Sequence, residues 1–517
     1  MNPQLLIVMA GALIIAALVR RQGFQANLII LVIASAVSFV PNLERLELEP
    51  HVILGLVVPP LLYSAALNFS FSTFGRNFRS IVGLGVTLVV GTTAAAAFVG
   101  SWLLPGIGLA GAFVLASVIS PPDTVTAVAH GKSMGFPRRV IAILTGESLV
   151  NDAAALTLFS IAVAGVTGES TFIGNPFLLF GYGVFVGVLV GFLLAGIVTG
   201  LRSRLVNSSL ATALSVLVPF AAYFIAEELH ASGVIAVVMA GFSMAPNTTY
   251  GSNRNPSGVA HRLRLQEHDV WPVVEVILEA FVFAYIGLQV RFVIDDLVAS
   301  GDDIPSVIIA GVVLLVLVVA IRMVWSFVVF GGRLIGDGMR RRRLDSGEKF
   351  AEFLRRREEA LEARGRQRAS REQALGWKEI LLVSWTGMRG IVTLAAAAAI
   401  PLTAAGEDFP GRASIQVIAF IVAIGTLLLQ GFTVPVLARR LRIDSTDDDA
   451  AEDSKVAAAQ AIADEAGADA VPNSSDWFHA KRAAVGNAVR LNQVDDEIAR
   501  VVIRRIDLRQ AAAETSD

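Results

Sequence analysis

Four polar residues share one helical spacing inside a long apolar run. Glu147, Ser148, Asn151 and Asp152 lie at positions i, i+1, i+4 and i+5 of the run VIAILTGESLVNDAAALTLFSIAV. Because an α-helix repeats every 3.6 residues, this spacing places all four side chains on one face. Two carboxylates, a hydroxyl and an amide supply oxygen ligands, which suit a hard cation. We interpret the stripe as a candidate cation site.

Two other apolar runs are interrupted by residues that disfavour a helix. Residues 107–130 contain Ser120-Pro121-Pro122-Asp123, and residues 379–401 contain Thr386-Gly387-Met388-Arg389-Gly390. Consecutive prolines remove backbone donors and clash with the preceding turn, while glycines lower the free-energy cost of unwinding. We predict that both helices break near mid-membrane; a plain kink is the alternative for either helix alone. Asp123 and the unpaired carbonyls of the first break would join the candidate cation site.

Asp152 is the residue on which exchange chemistry would depend. A carboxylate that holds either a metal ion or a proton couples the two by competition. The ion needs the ionised form, and protonation ejects the ion. The alternative for Asp152 is a buried structural carboxylate.

The other charged residues in apolar runs need partners. Arg322 cannot lose its proton, so it must find an anion inside the protein; Glu147 is the first choice and Glu279 the second. A carboxylate locked to a guanidinium is more typical of a scaffold than of a carrier. Arg389 would offset helix C-terminal dipoles at the second break. Glu275 and Glu279 lie one turn apart and would either face neighbouring helices or take part in the ion path.

The composition is that of an integral membrane protein. The 517 residues are 54% hydrophobic and 17% charged, with a mean hydropathy of +0.64, far more apolar than a soluble protein of this size. The formal net charge of -2 offers no overall basic surface for nucleic acid. The absence of cysteine excludes disulfides, iron–sulfur clusters and thiolate zinc sites, and the six histidines lack metal-ligand spacing. We expect no cofactor.

Runs of about 20 apolar residues are long enough to cross a bilayer. The sequence contains thirteen such candidates, near residues 4–19, 26–40, 51–68, 79–99, 107–130, 138–164, 176–200, 208–226, 231–246, 270–290, 304–333, 379–401 and 413–438. Short loops on one side carry twelve Lys and Arg residues and those on the other side carry three. The positive-inside rule then predicts an external N-terminus and a cytoplasmic C-terminus. The fifth and twelfth candidates are the interrupted ones, and their positions in the order of spans differ by seven, an odd number, so they would enter from opposite sides. This indicates two inverted-topology repeats whose broken helices cross at the substrate site.

Polar residues concentrate in two segments. Of the 86 charged residues, 47 lie within 340–378 and 439–517. We predict a transmembrane domain over 1–440, with a charged cytoplasmic insert at 340–378 that forms a solvated helix. Residues 441–517 are predicted to form a cytoplasmic tail, partly disordered in its acidic stretch and then helical.

The chain resembles the bacterial sodium/proton antiporters of the monovalent cation:proton antiporter-1 family over roughly residues 1 to 440. The segments that carry the resemblance are SPPDTVTA (120–127), GESLVNDAAAL (146–156), HASGVIAVVMAG (230–241), FVFAYIGLQV (281–290) and WTGMRGIVTLA (385–395). The family implies about thirteen helices in inverted repeats, a homodimer, and a core domain that exposes one site alternately to each side.

The resemblance also implies roles for individual residues. Asp152 is the carboxylate that exchanges cation for proton, while Ser148 and Asp123 assist in binding the transported Na⁺. Asn151 stands where electrogenic relatives have a second aspartate, which suggests electroneutral exchange. Glu147 and Arg322 form a structural ion pair.

The chain departs from the family at the first break. Many members have Thr-Asp-Pro there, whereas this chain has Pro122-Asp123-Thr124. The threonine before Asp123 is missing, and either Ser120 or Thr124 would replace it.

These inferences lead to one functional hypothesis and several alternatives. The leading hypothesis is a secondary antiporter of the bacterial cell membrane that exchanges Na⁺, or else Li⁺ or K⁺, for H⁺ and serves pH and sodium homeostasis. A K⁺/H⁺ antiporter of the same mechanism is the first alternative, and an ion channel or a sensor that signals through the tail is more distant. A membrane-embedded hydrolase or transferase that uses Asp123 and Asp152 as an acid–base pair lacks a supporting motif, since the sequence has no nucleophile elbow, HExxH or phosphate-binding glycine loop.

Overall fold

The structure is a computed structural model. The residues that it describes are 3–20, 26–41, 43–46, 54–124, 131, 134–168, 175–205, 207–250, 259–345, 375–404, 406–441, 446–468, 470–491 and 493–516. The central part of the predicted insert, 346–374, lies outside them, and so do residues 125–130, which belong to the fifth predicted span.

The described chain is almost entirely α-helical. Its helices are α1 (Pro3–Arg20), α2 (Ala26–Ser38), α3 (Val58–Asn68), α4 (Phe71–Val82), α5 (Leu88–Leu103), α6 (Gly108–Ile119), α7 (Arg138–Thr167), α8 (Pro176–Arg202), α9 (Ser208–Glu228), α10 (Gly233–Tyr250), α11 (Val259–Ser300), α12 (Ile304–Asp345), α13 (Trp377–Trp385), α14 (Ile391–Ala398), α15 (Arg412–Leu441), α16 (Thr446–Ala466), α17 (Ser475–Arg490) and α18 (Asp496–Ser516). A π-helical turn, Gly83–Thr87, joins α4 to α5. Two short strands, Thr403–Ala404 and Glu407–Asp408, pair antiparallel before α15.

The apolar helices coincide with the predicted spans. Among the described residues, seven helices are long and apolar enough to cross a membrane, and five shorter apolar helices accompany them. The twelfth predicted span is divided between α13 and α14. Large apolar side chains point outward from these helices: Phe98 is 76% exposed, Trp102 78% and Ile197 68%. Apolar surface of this kind is stable against lipid rather than water.

The membrane helices pack as two bundles. In one bundle α11 packs on α2 and α1, α10 packs on α3 and α8, and α9 packs on α10 and α11. In the other bundle α6 packs on α5 and α7, and α12 packs on α5, α13 and α15. The two bundles touch mainly where α11 meets α14 and α15, and where α7 meets α10, α8 and α3. Helix α7, which carries the predicted cation stripe, therefore lies at the boundary between the bundles.

Both interrupted spans lose their helical structure at the predicted residues. Helix α6 ends at Ile119, and the backbone from Ser120 to Thr124 is non-helical. Likewise α13 ends at Trp385, and helical structure resumes only at Ile391. The two non-helical segments cross in an antiparallel bridge between Asp123 and Met388. The backbone N–H of Asp123 donates to the Met388 carbonyl at 2.5 Å.

The tail forms a small helical unit with its own apolar core. Helices α16, α17 and α18 pack on one another around Trp477, Phe478, Val485 and Val502. The acidic stretch, predicted to be partly disordered, is helical from Thr446 onward. The acidic, low-complexity composition suggested disorder, but Val456, Ala459 and Ala463, which follow the stretch on α16, supply an apolar face that the rest of the tail covers.

The tail contacts both bundles at the end of the molecule where the basic loops lie. On α11, Arg264 binds Asp507 through two hydrogen bonds of 2.6 and 2.7 Å, and the Asp507 side chain is 2% exposed. On α4 of the other bundle, Arg76 binds Asp495 at 2.6 Å. The tail is thus held to both bundles by charged hydrogen bonds.

Candidate functional site

The polar stripe of α7 is buried at the helix crossing. All four of its side chains are at most 8% exposed, and Glu147 and Asn151 are fully buried. The Asn151 side-chain N–H donates to the Pro122 carbonyl at 2.6 Å, so the first break is tied to α7. The Pro122 carbonyl lies in the non-helical segment after α6, where a side chain can supply its hydrogen-bond donor.

Asp152 presents an unsatisfied oxygen at this site. Its side chain is 6% exposed, and within the described residues its Oδ1 atom is buried without a hydrogen-bond partner. The Oδ1 atom of Asn151, one residue away, is also buried without a hydrogen-bond partner among the described residues. Buried oxygens without donors are costly unless something binds them, and a cation or a proton would satisfy them.

Asp123 extends the site from the broken helix. A Cβ atom added to Gly390 would lie 1.7 Å from its Oδ2 atom, so the carboxylate rests directly against the glycine backbone. Only glycine allows this close approach, which gives Gly390 a role at the second break beyond easing the unwinding of the helix. The two hydroxyls near Asp123 donate to backbone carbonyls. Thr124 donates to the Leu144 carbonyl of α7 at 2.8 Å, and Ser120 donates to the Ser117 carbonyl of α6 at 3.2 Å.

Arg322 is paired with Glu147, the first of the two partners considered. The two guanidinium nitrogens Nη1 and Nη2 bind the two carboxylate oxygens of Glu147, the second at 3.2 Å. Arg322 also donates to the carbonyls of Ser384 at 3.2 Å and Val383 at 3.1 Å, at the end of α13. A Cβ atom at Gly387 would lie 2.0 Å from Arg322 Nε, so the glycine makes room for the guanidinium.

The second candidate partner of Arg322 is engaged elsewhere. Glu279 accepts a hydrogen bond from the Asn27 side chain at 2.9 Å. Glu275, one turn earlier on α11, binds the Ser64 hydroxyl. Both contacts join neighbouring helices of the same bundle.

Arg389 fills the space between the two broken helices. Its side chain is 1% exposed and donates to the Ile119 carbonyl at the end of α6, at 3.2 Å, and to the Gly387 carbonyl at 2.8 Å. The Arg389 guanidinium therefore lies at the C-terminal, negative end of the α6 dipole. Its backbone N–H donates to the Thr426 hydroxyl of α15 at 2.9 Å. Thr426 did not emerge from the sequence, where it is an isolated hydroxyl in an apolar run without a pattern to mark it.

The fold and the site together define a membrane protein with a buried oxygen site where two broken helices cross. The sequence profile described as "Sodium/hydrogen exchanger, transmembrane" matches residues 6–440. The chain therefore belongs to this family, the monovalent cation:proton antiporter-1 family, and is a multi-pass integral membrane protein. Its membership supports monovalent cation/proton antiport, a secondary transport activity.

Individual relatives agree with this assignment. An uncharacterized Na⁺/H⁺ exchanger of Mycobacterium bovis is 30% identical over 450 residues, which cover 86% of this chain and 74% of the relative. The Na⁺/H⁺ antiporter NhaH of Halobacillus dabanensis is 28% identical over 404 residues, covering 76% of this chain and 84% of the relative.

One further relative and one solved structure extend the comparison. The sodium, potassium, lithium and rubidium/H⁺ antiporter of Bacillus pumilus is 28% identical over 421 residues, covering 78% of this chain and 56% of the relative. The solved sodium proton antiporter MjNhaP1 of Methanocaldococcus jannaschii shares the fold, with a TM-score of 0.59 and 14% identity. The match covers 85% of this chain and 98% of that chain.

Proposed function

We propose that this protein exchanges Na⁺ for H⁺ at Asp152, one ion for one proton, by alternating access. The observation that carries the proposal is the buried Asp152 Oδ1 atom, which lacks a hydrogen-bond partner among the described residues and lies at the crossing of two broken helices. Ionised Asp152 binds the cation with oxygens of Asp123 and Ser148. Protonation of Asp152 removes the charge that holds the ion and ejects it, so that ion and proton occupy the site in turn.

Asn151 links this chemistry to the broken helix. Its amide donates to the Pro122 carbonyl and carries no charge, so Asp152 is the one titrating group of the Asn-Asp pair. One proton then replaces one monovalent cation, which makes the exchange electroneutral. The pair of Glu147 and Arg322 takes no part in the exchange and holds α7, α12 and the end of α13 in register.

The two bundles supply the moving parts. In this proposal thirteen spans form two inverted repeats, and the bundle of α4–α7 and α12–α15 moves against the other. The N-terminus lies outside, the C-terminus lies in the cytoplasm, and the protein acts as a homodimer in the bacterial cell membrane for pH and sodium homeostasis. The printed name of the Bacillus pumilus relative supports K⁺ as the alternative cargo. A channel or a tail-coupled sensor is the more distant alternative.

Everted vesicles with an imposed proton gradient test the proposal. Added Na⁺ should collapse the gradient in the parent protein, and Asp152→Asn should abolish the response because the amide cannot exchange a proton. Asp269→Asn is the matched control, since that carboxylate is 82% exposed, near the beginning of α11 in the other bundle. Li⁺, K⁺ and Rb⁺ in the same assay identify the cargo. Unchanged exchange in Asp152→Asn refutes the mechanism, and a cation current without proton movement favours a channel.

A further inference from the structure

A cavity of about 350 Å³ lies between α7 and the bundle that faces it. Its wall is formed by residues 156–164 of α7 and by parts of α3, α8 and α9, together with the connection between α9 and α10. Polar groups on the wall are Thr157, Ser160, Ser232, Glu227, His230 and Tyr223. Of these, Glu227, His230 and Tyr223 are the titratable groups. The cavity is therefore a partly polar space at the boundary where the bundles would slide.

The cavity begins one helical turn from the exchange site. Leu156 lines it and follows Asp152 by four residues on α7, which corresponds to about 6 Å along the helix axis. At the same level the Thr157 hydroxyl lies 3.1 Å from the Ser232 hydroxyl and joins α7 to the start of α10. Leu156, Thr157 and Ser232 line the end of the cavity that is nearest to Asp152 along α7.

Every part of the wall lies on the side opposite the basic loops. Helix α7 begins at Arg138 and α9 follows the loop with Arg202 and Arg204, whereas the cavity is lined by the C-terminal halves of both helices. The wall segments of α3 and α8 are near the starts of those helices, which lie at the same end. Under the proposed orientation, this is the external side.

Glu227 holds a carboxylate at the wall of this space. Its Oε1 atom accepts a hydrogen bond from the Gly233 N–H at 3.2 Å, at the beginning of α10. A Cβ atom at Gly233 would lie 2.6 Å from the Tyr223 ring and 3.0 Å from that oxygen, so glycine is required for the arrangement. The N-terminal end of a helix stabilises negative charge, so the start of α10 favours a carboxylate at this position.

We propose that this cavity is the external access path to Asp152 and that Glu227 is its entry site for monovalent cations. The inference rests on the proposed antiport. A fixed negative charge in a narrow, partly apolar cleft raises the local concentration of cations and lowers that of anions. Glu227 attracts the ion from outside, the hydroxyls of Ser160 and Thr157 lie along the way, and the Thr157–Ser232 contact opens for passage to Asp152.

The absence of native cysteine makes a direct test possible. In Ser160→Cys, the single thiol should react with membrane-impermeant methanethiosulfonates added to right-side-out vesicles. The cationic ethyltrimethylammonium reagent should react faster than the anionic ethylsulfonate reagent, relative to their rates with a free thiol in solution. Adding Glu227→Gln should lower this ratio about fivefold. Glu228→Gln is the matched control, because Glu228 is adjacent and exposed but does not line the cavity.

A transport measurement completes the test. Glu227→Gln should raise the KM for external Na⁺ about threefold in right-side-out vesicles, with the KM for internal Na⁺ in everted vesicles and the maximal rate unchanged. A thiol that is unreactive from outside, a reagent ratio that Glu227→Gln leaves unchanged, or equal KM changes on both sides would overturn the proposal. The labelling arm needs no transport, so its result is separate from the Asp152→Asn test of the antiport mechanism.

Discussion

The buried ion pair between Glu147 and Arg322 should be worth several times more than an exposed pair of the same geometry. Both side chains are at most 1% exposed. Glu147→Gln leaves the guanidinium buried without a counter-charge. Arg322→Met likewise leaves the Glu147 carboxylate buried without a counter-charge. Removing one partner of a buried pair costs roughly 3 to 5 kcal/mol of unfolding free energy. The double variant leaves no buried charge, so we expect a coupling energy of about 3 kcal/mol.

A second pair in the same chain provides the comparison. Arg45 and Asp296 also form two hydrogen bonds, at 3.1 and 2.8 Å, but their side chains are 30% and 34% exposed. The corresponding cycle with Arg45→Met and Asp296→Asn should give about 0.2 to 1 kcal/mol. Unfolding free energies of all variants are measured by titration with denaturing detergent in mixed micelles. Equal coupling energies for the two pairs would refute the reasoning that burial makes the Glu147–Arg322 pair structural.

Two further predictions concern the exchange site and the tail. Asn151→Asp should slow exchange, because a carboxylate oxygen would face the Pro122 carbonyl at the 2.6 Å now bridged by an N–H. Exchange in vesicles at or above the rate of the parent protein would contradict this. The pKa of Asp495 is raised by burial but lowered more by the hydrogen bonds and charges of Arg76 and Lys455 together, and it lies below its ordinary 3.8. The stabilisation by this contact is therefore complete above the ordinary pKa and is lost only as the pH falls through the lowered value. The tail should stay docked from about pH 8 to about pH 5, as measured by hydrogen exchange, and release in that range would show that other groups control docking.

The sequence alone determined the features that depend on neighbours along the chain. The four polar residues of α7 share a face because helical geometry fixes their angular positions wherever the helix lies. Consecutive prolines placed the first break at Ser120–Asp123, and the glycine-rich segment placed the second, because both effects act on the local backbone. The cost of an unpaired guanidinium in an apolar run also required an anionic partner for Arg322, whichever helix supplied it.

Only the tertiary structure decided which distant groups meet. Arg322 and Glu147 are 175 residues apart in the chain, and the sequence ranked Glu147 first without excluding Glu279. Packing settles the choice, because Glu279 lies on α11 in the other bundle and binds Asn27 there. The same holds for the bridge from Asp123 to Met388 and for the bond from Arg389 to Ile119. Each of these contacts depends on the arrangement of whole helices, which local residue patterns constrain only weakly, and the site exists only where that arrangement brings the two breaks together.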